Sequence, residues 1–123
     1  MAITYSVPLK TARMTATRDY LADGTLEILD AGDVLLVAVG LSATGGTVNN
    51  DVWTLAFDGP SDAVGTGTAA KAQIKDSGGV AVITGLGVGM TGSGSDVEMQ
   101  NTSLASGQTV TVTSATIQHS TEI

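Results

Sequence analysis

Thr68-Ala-Ala-Lys-Ala-Gln-Ile-Lys75, Asp76-Ser-Gly-Gly79 and Val80-Ala-Val-Ile-Thr84 run one after another and read as strand, turn and returning strand. In the first run Ala70, Ala72 and Ile74 share one phase, with Lys71, Gln73 and Lys75 on the other. That period of two is the mark of a strand with one buried face. Ser77-Gly78 suits a hairpin turn, and Gly79 allows a bulge. Val80, Val82 and Ile83 bring the chain back.

The same grammar extends in both directions. Val97 and Met99 alternate with Asp96, Glu98 and Gln100. In Ser106-Gly-Gln-Thr-Val-Thr-Val-Thr113 the inward phase is Val110 and Val112, yet Ala115 and Ile117 continue on the opposite parity. A bulge near Thr113-Ser114 restores both pairs to one core. Upstream, Leu26 and Ile28 alternate with Thr25 and Glu27, and Asp30-Ala-Gly-Asp33 is a turn. Val34-Leu-Leu-Val-Ala-Val39 is apolar on both phases, which predicts a strand covered on both faces. Thr44-Gly-Gly-Thr47 and Asn49-Asn-Asp51 are further turns, and Asp58-Gly-Pro-Ser-Asp62 is a loop. Trp53, Leu55 and Phe57 share one phase, so this face is expected to be densely packed core. Gly85 to Ser95 holds five glycines and is expected to be a flexible or closely packed crossing.

Before Gly24 the period changes. Ser6 can cap a helix with Pro8 in its first turn. Leu9, Ala12, Ala16 and Tyr20 then recur at helical spacing, and Gly24 closes the pattern, so residues 8–21 are expected to be a helix. Residues 1–5 look extended and suited to a sheet edge. The expected organisation is an N-terminal strand and helix over 1–24, acting as a docking segment, and a β-sandwich body over 25–123. Seven or eight short strands with frequent turns predict a mainly β fold, an antiparallel β-sandwich or jelly roll with one short N-terminal helix. No repeat of solenoid or propeller length stands out.

Composition bounds the function. At 123 residues the chain is the size of one domain, and with 3% aromatics its core must be aliphatic. Charged residues are 14%, below the usual quarter, as expected of a surface partly covered by partners. A net charge of −7 argues against nucleic acid as a partner. Lys10, Arg13 and Arg18 make the N-terminal segment basic against an acidic body, and these three are the candidate interaction residues. Without cysteine there is no disulfide, thiolate nucleophile or Cys-ligated metal. No apolar run approaches a membrane span, and Met1-Ala-Ile-Thr-Tyr-Ser lacks the features of a signal peptide, so no membrane step is expected.

Candidate chemistry is sparse. Gly87-Val-Gly-Met-Thr-Gly92 fits G-x-G-x-x-G, but the helix-breaking Ser93-Gly-Ser-Asp that follows denies it the helix a dinucleotide needs. His119 is the single histidine, and no Gly-x-Ser-x-Gly elbow stands on a strand-to-helix turn to use it. Asp30/Asp33 and Asp58/Asp62 carry oxygen ligands suited to Ca²⁺, yet lack the spaced acidic loop of an EF-hand and read better as turn formers. Asn101-Thr-Ser103 fits a glycosylation sequon, which has no use without a secretory route. No catalytic residue, cofactor or metal is expected, and the chain is read as a non-enzyme. Sugar binding would need exposed aromatics, and Trp53, Phe57, Tyr5 and Tyr20 are all there is.

Ile3-Thr-Tyr-Ser6 followed by Lys10-Thr-Ala-Arg-Met14 resembles the opening of a family of small tailed-bacteriophage virion structural proteins. Gly65-Thr-Gly-Thr-Ala69, Ile74-Lys-Asp-Ser-Gly78 and Asn101-Thr-Ser-Leu-Ala-Ser-Gly-Gln-Thr-Val-Thr-Val112 are similar to the rest of that family, with 30–60 the weakest stretch. The resemblance implies a virion protein assembled in the bacterial host cytoplasm. Its expected role is capsid decoration or cement, with the major capsid protein, neighbouring virion proteins and its own copies as partners, the last as a trimer. The alternatives are a tail or head–tail neck protein and a carbohydrate-binding host-attachment module.

Overall fold

The computed structural model describes residues 6–118. The expectations for residues 1–5 and His119 lie outside that span. Helix α1 covers Val7–Leu21, and eleven strands follow: β1 Thr25–Leu29, β2 Leu35–Asn49, β3 Val52–Phe57, β4 Ser61–Asp62, β5 Gly67–Thr68, β6 Lys71–Lys75, β7 Ala81–Met90, β8 Val97–Met99, β9 Ser103–Leu104, β10 Thr109–Val110 and β11 Val112–Gln118. The mainly β composition with one short helix agrees with the sequence reading.

The sheet arrangement does not. Seven strands close into a barrel in the order β1-β2-β3-β11-β8-β7-β6, rather than forming two packed sheets. The barrel is antiparallel except at one seam, where β7 and β8 run parallel, Val88 opposite Val97 and Met90 opposite Met99. The physical reason for the difference is simple. Alternation reports that one face of a strand is buried, and the inside of a small barrel gives the same alternation as the inside of a sandwich. Closure rests on long-range pairings such as β1 with β6 and β3 with β11, which no local pattern encodes.

Side chains fill the interior. Leu26, Ile28, Val37, Val39, Leu41, Trp53, Ile74, Val97 and Met99 are almost completely buried, as in other small barrels. The Trp53/Leu55/Phe57 face is core as expected, with Phe57 partly covered. Val97 and Met99 also point inward, and the bulge expected near Thr113-Ser114 is present as a register shift between Val112 and Ser114. Four expectations need correction. The Thr44-Gly-Gly-Thr47 turn is instead an irregular part of β2, which runs from Leu35 to Asn49. Ala70, placed on the inward phase, is exposed just before β6. β2 is covered on both sides only at Leu36, whose backbone carbonyl accepts the Val64 amide, while Val34 and Ala38 are exposed. The glycine-rich stretch is no free crossing: β7 continues through Gly85, Gly87 and Gly89, with a register shift against β6 where Gly85 takes a φ of 79°, and only 91–96 connects β7 to β8.

Both barrel ends are covered. At the end where β1 finishes, the ladders β4–β10 and β5–β9 fold over and bury Ala63, Ala69, Leu104 and Val110. At the other end α1 packs on β2 and β3, with Met14 and Leu21 in the barrel's own core. Ser6 caps the helix, its hydroxyl accepting the Leu9 amide at 3.4 Å, and Pro8 sits in the first turn. The chain leaves through Gly24, where a Cβ would lie 2.1 Å from the Lys75 carbonyl oxygen; only glycine lets helix and β6 approach this closely.

Candidate interaction surface

The helix seats its other face than the one its apolar spacing suggests. Lys10, Met14 and Leu21 face the barrel, whereas Leu9, Ala12, Ala16 and Tyr20 face outward, Tyr20 with 65% of its surface exposed. The spacing correctly marks a helix, but its apolar stripe is not the buried one. The core side is made from a methionine, a leucine and the aliphatic stem of a lysine, which packs apolar carbon while its head stays polar. Leu9, Arg13, Ala16 and Tyr20 stand at i, i+4, i+7 and i+11, so they form one outward line. At its C-terminal end this line borders a shallow groove of about 330 Å³ shared by Ala16, Thr17, Tyr20, Leu21 and Val82 of β7. Val80 and Val82 are themselves exposed, so the apolar strip crosses from helix to barrel.

The three basic residues do not converge. Lys10 is buried along its stem, and Arg13 lies in the outward line. Arg18 lies on the opposite flank, half-covered against the β2 backbone, with its guanidinium 3.0 Å from the Asp19 carboxylate. Arg13 is therefore the one of the three that accompanies the apolar strip. The apolar line was visible in the sequence; its outward orientation was not, because Met14 and Leu21 alone do not outvote four regularly spaced apolar residues.

The remaining motifs are turns and ties. Asp30 Oδ1 accepts the amides of Gly32 and Val34 at 2.8 and 3.0 Å, the geometry of a turn former. In the G-x-G-x-x-G run, Gly87 and Gly89 are strand residues and Gly92 is in the following turn. The Gly87 amide donates to Asp96, and the amides of Gly92 and Gly94 donate to Glu98. Backbone donors that could have cradled a phosphate are thus occupied by the chain's own carboxylates. Trp53 is fully buried with its indole N–H bonded to a backbone carbonyl, so it offers no sugar platform. Among the described residues no group of three His, Cys, Asp or Glu side chains gathers as a metal site, and no helix is long and apolar enough to cross a membrane. Compared with known proteins, the chain matches no family model, no curated protein and no solved structure.

Proposed function

We propose that this chain is a structural subunit of a bacteriophage virion, a capsid decoration or cement protein that works by docking rather than by catalysis. The observation that carries the docking part is the outward apolar line on α1, Leu9, Ala16 and Tyr20, continued by Val80 and Val82 on the barrel. Isolated exposed apolar residues are ordinary, but a line of them spanning two elements is typical of a contact surface. A barrel filled by side chains and covered at both ends leaves the outer surface as the working part. The assignment to a virion, and to its shell, rests on the resemblance in the N-terminal, 65–78 and 101–112 runs. The partners under this reading are the major capsid protein and neighbouring copies. The tail or neck reading shares the same surface and differs in copy number.

The test is co-sedimentation with phage particles that lack the protein, together with a particle reconstruction that counts copies. Wild-type chain is expected to pellet with particles at close to one copy per capsid subunit. Tyr20→Ser combined with Leu9→Ser is expected to stay in the supernatant while keeping its unfolding midpoint. A few copies confined to the neck or tail would establish the second position instead. Failure to pellet at all would overturn the virion reading.

A further inference from the structure

We infer that the Asp58–Gly59 bond is a modification site, where the folded chain converts aspartate to isoaspartate by way of a cyclic imide and so adds a carbon to its main chain. The chain has two Asp-Gly bonds, Asp23–Gly24 and Asp58–Gly59, and the fold treats them oppositely. The reaction needs a free amide beside a free carboxyl, and a following residue with no side chain to crowd the attack. At Asp58–Gly59 both groups are free. Asp58, Gly59 and Pro60 are exposed. The Asp58 amide donates to the Gly40 carbonyl at 2.9 Å, and the next backbone pairing is that of Ser61 with Val110. Among the described residues the Asp58 carboxylate and the Gly59 amide have no hydrogen-bond or ion-pair partner. A Cβ on Gly59 would meet nothing within 4 Å, and its φ of 147° is a conformation that favours glycine.

Asp23–Gly24 is held in place. The Gly24 amide donates to the Leu21 carbonyl, and the Gly24 carbonyl accepts the Leu41 amide, each at 2.9 Å. Gly24 is also buried against the Lys75 carbonyl. Ring closure there would first have to pull the helix end away from β6, whereas at Asp58 it needs only rotation within an exposed loop. The Gly59 nitrogen attacks Cγ of the protonated Asp58 carboxyl, and the amide proton and the carboxyl hydroxyl leave together as water. Water then opens the imide. Opening at the Cγ carbonyl restores aspartate; opening at the α-carbonyl leaves the chain running through Cβ and Cγ, with a free α-carboxylate. The water lost in the first step returns in the second, so no oxidant or other reagent is consumed. The added carbon lies between the Phe57–Leu41 pair of the barrel and the Ser61–Val110 pair of its cover. The barrel ladder precedes it, so the cover takes the displacement. The inference is independent of the docking reading and is measured on purified protein.

The experiment ages the full chain in warm neutral buffer for several weeks and maps it with an endoproteinase that cuts before aspartate but not before isoaspartate. Isoaspartate at position 58 leaves a fused 51–61 fragment, and at position 23 a fused 19–29 fragment. In the folded chain 51–61 is expected to accumulate at least about tenfold faster than 19–29, because Asp23–Gly24 reacts only in molecules whose helix end has opened. In denaturant both amides are free, and the two fragments are expected to accumulate at similar rates. In the aged folded chain the Ala63 amide, bonded to the Gln108 carbonyl at 2.8 Å, should exchange its hydrogen faster than in fresh chain. A folded chain in which 51–61 fails to accumulate, or appears no faster than 19–29, overturns the inference. So does a denatured chain that keeps the folded ratio, since the difference would then lie in the neighbouring residues and not in the fold. Unchanged exchange at Ala63 would sink the claim that the added carbon displaces the cover.

Discussion

The indole Nε1 of Trp53 donates a hydrogen bond to the carbonyl oxygen of Gly45 at 2.9 Å, inside the core. Gly45 lies in the irregular part of β2, where the register to β3 jumps between Leu41 and Gly46. The outer side of the same glycine meets Arg18 and Ala22, so a Cβ there would stand 3.1 Å from the Arg18 Cγ. One buried tryptophan thus fixes the backbone platform on which the helix rests, and through it the aim of the outward face.

Replacing Trp53 by phenylalanine keeps much of the apolar volume but removes the donor. A buried carbonyl that loses its partner costs about 1–3 kcal/mol, and the smaller ring adds a packing loss. Denaturant unfolding of Trp53→Phe should show at least this drop. A variant as stable as wild type would mean that the Gly45 carbonyl finds another donor.

Gly46 tests the same platform from the backbone. Its φ of 116° lies outside the range natural for other residues, and an added Cβ would fall 2.1 Å from the Thr54 carbonyl oxygen. The gain of about 0.4–1 kcal/mol that Gly→Ala gives by stiffening the unfolded chain is outweighed here. Gly46→Ala should lower the unfolding midpoint clearly, whereas Ala43→Gly, at an exposed neighbour, should change it little.

The two helix faces separate cleanly by mutation. Met14 is 4% exposed, and Met14→Ala should cost about 2–5 kcal/mol as a buried truncation. Tyr20→Ala, at an exposed site, should stay within about 0.5 kcal/mol. The reverse ranking would restore the face that the apolar spacing suggests. Because Met14 and Leu21 are core, deleting residues 1–20 is expected to leave a weakened barrel, not the independent body that a separable docking segment implies.

The longer strands, the turns at Asp30 and Asp76 and the Val112–Ser114 bulge were legible because each rests on local alternation or turn chemistry, whereas Thr44-Gly-Gly-Thr47, with its glycine pair, imitated a turn inside β2. The helix was legible for the same reason, from its Ser6 cap, Pro8 and spacing. Barrel closure was not, since β1–β6 and β7–β8 are pairings between distant segments whose inward residues look the same in a sandwich. The helix orientation was hidden by Lys10, whose charge disguises a buried stem. The outward apolar strip was half-legible: Leu9, Ala16 and Tyr20 stood out in the helical spacing, with Arg13 among them, whereas Val80 and Val82 were read only as part of the returning strand.

A short internal likeness also escaped the search for long repeats. Asp30-Ala-Gly-Asp-Val34 and Asp76-Ser-Gly-Gly-Val80 are the same turn. In each, the first Asp Oδ1 accepts the amides two and four residues on, at 2.8–3.0 Å. The Asp amide donates to the closing valine carbonyl in both, and the fourth residue has positive φ, 68° at Asp33 and 85° at Gly79. The two hairpins join back to back through β1 and β6, where Glu27 is opposite Gln73 and their side chains bond at 2.7 Å. Asp30 and Asp76 each lie three residues beyond that pair, so it marks a local two-fold. Equal geometry predicts equal energetics: Asp30→Ala and Asp76→Ala should each cost about 1 kcal/mol, the scale of a net side-chain hydrogen bond. The fourth positions should differ. Gly79→Ala forces a Cβ into the left-handed region at about 1–2 kcal/mol, while Asp33→Gly relieves the same strain and loses an exposed ion pair with Lys71 of little worth. Asp33→Gly is therefore expected to match or exceed wild-type stability in denaturant unfolding. A loss as large as that of Gly79→Ala would show that the Lys71–Asp33 pair, rather than the turn, holds this end of the barrel.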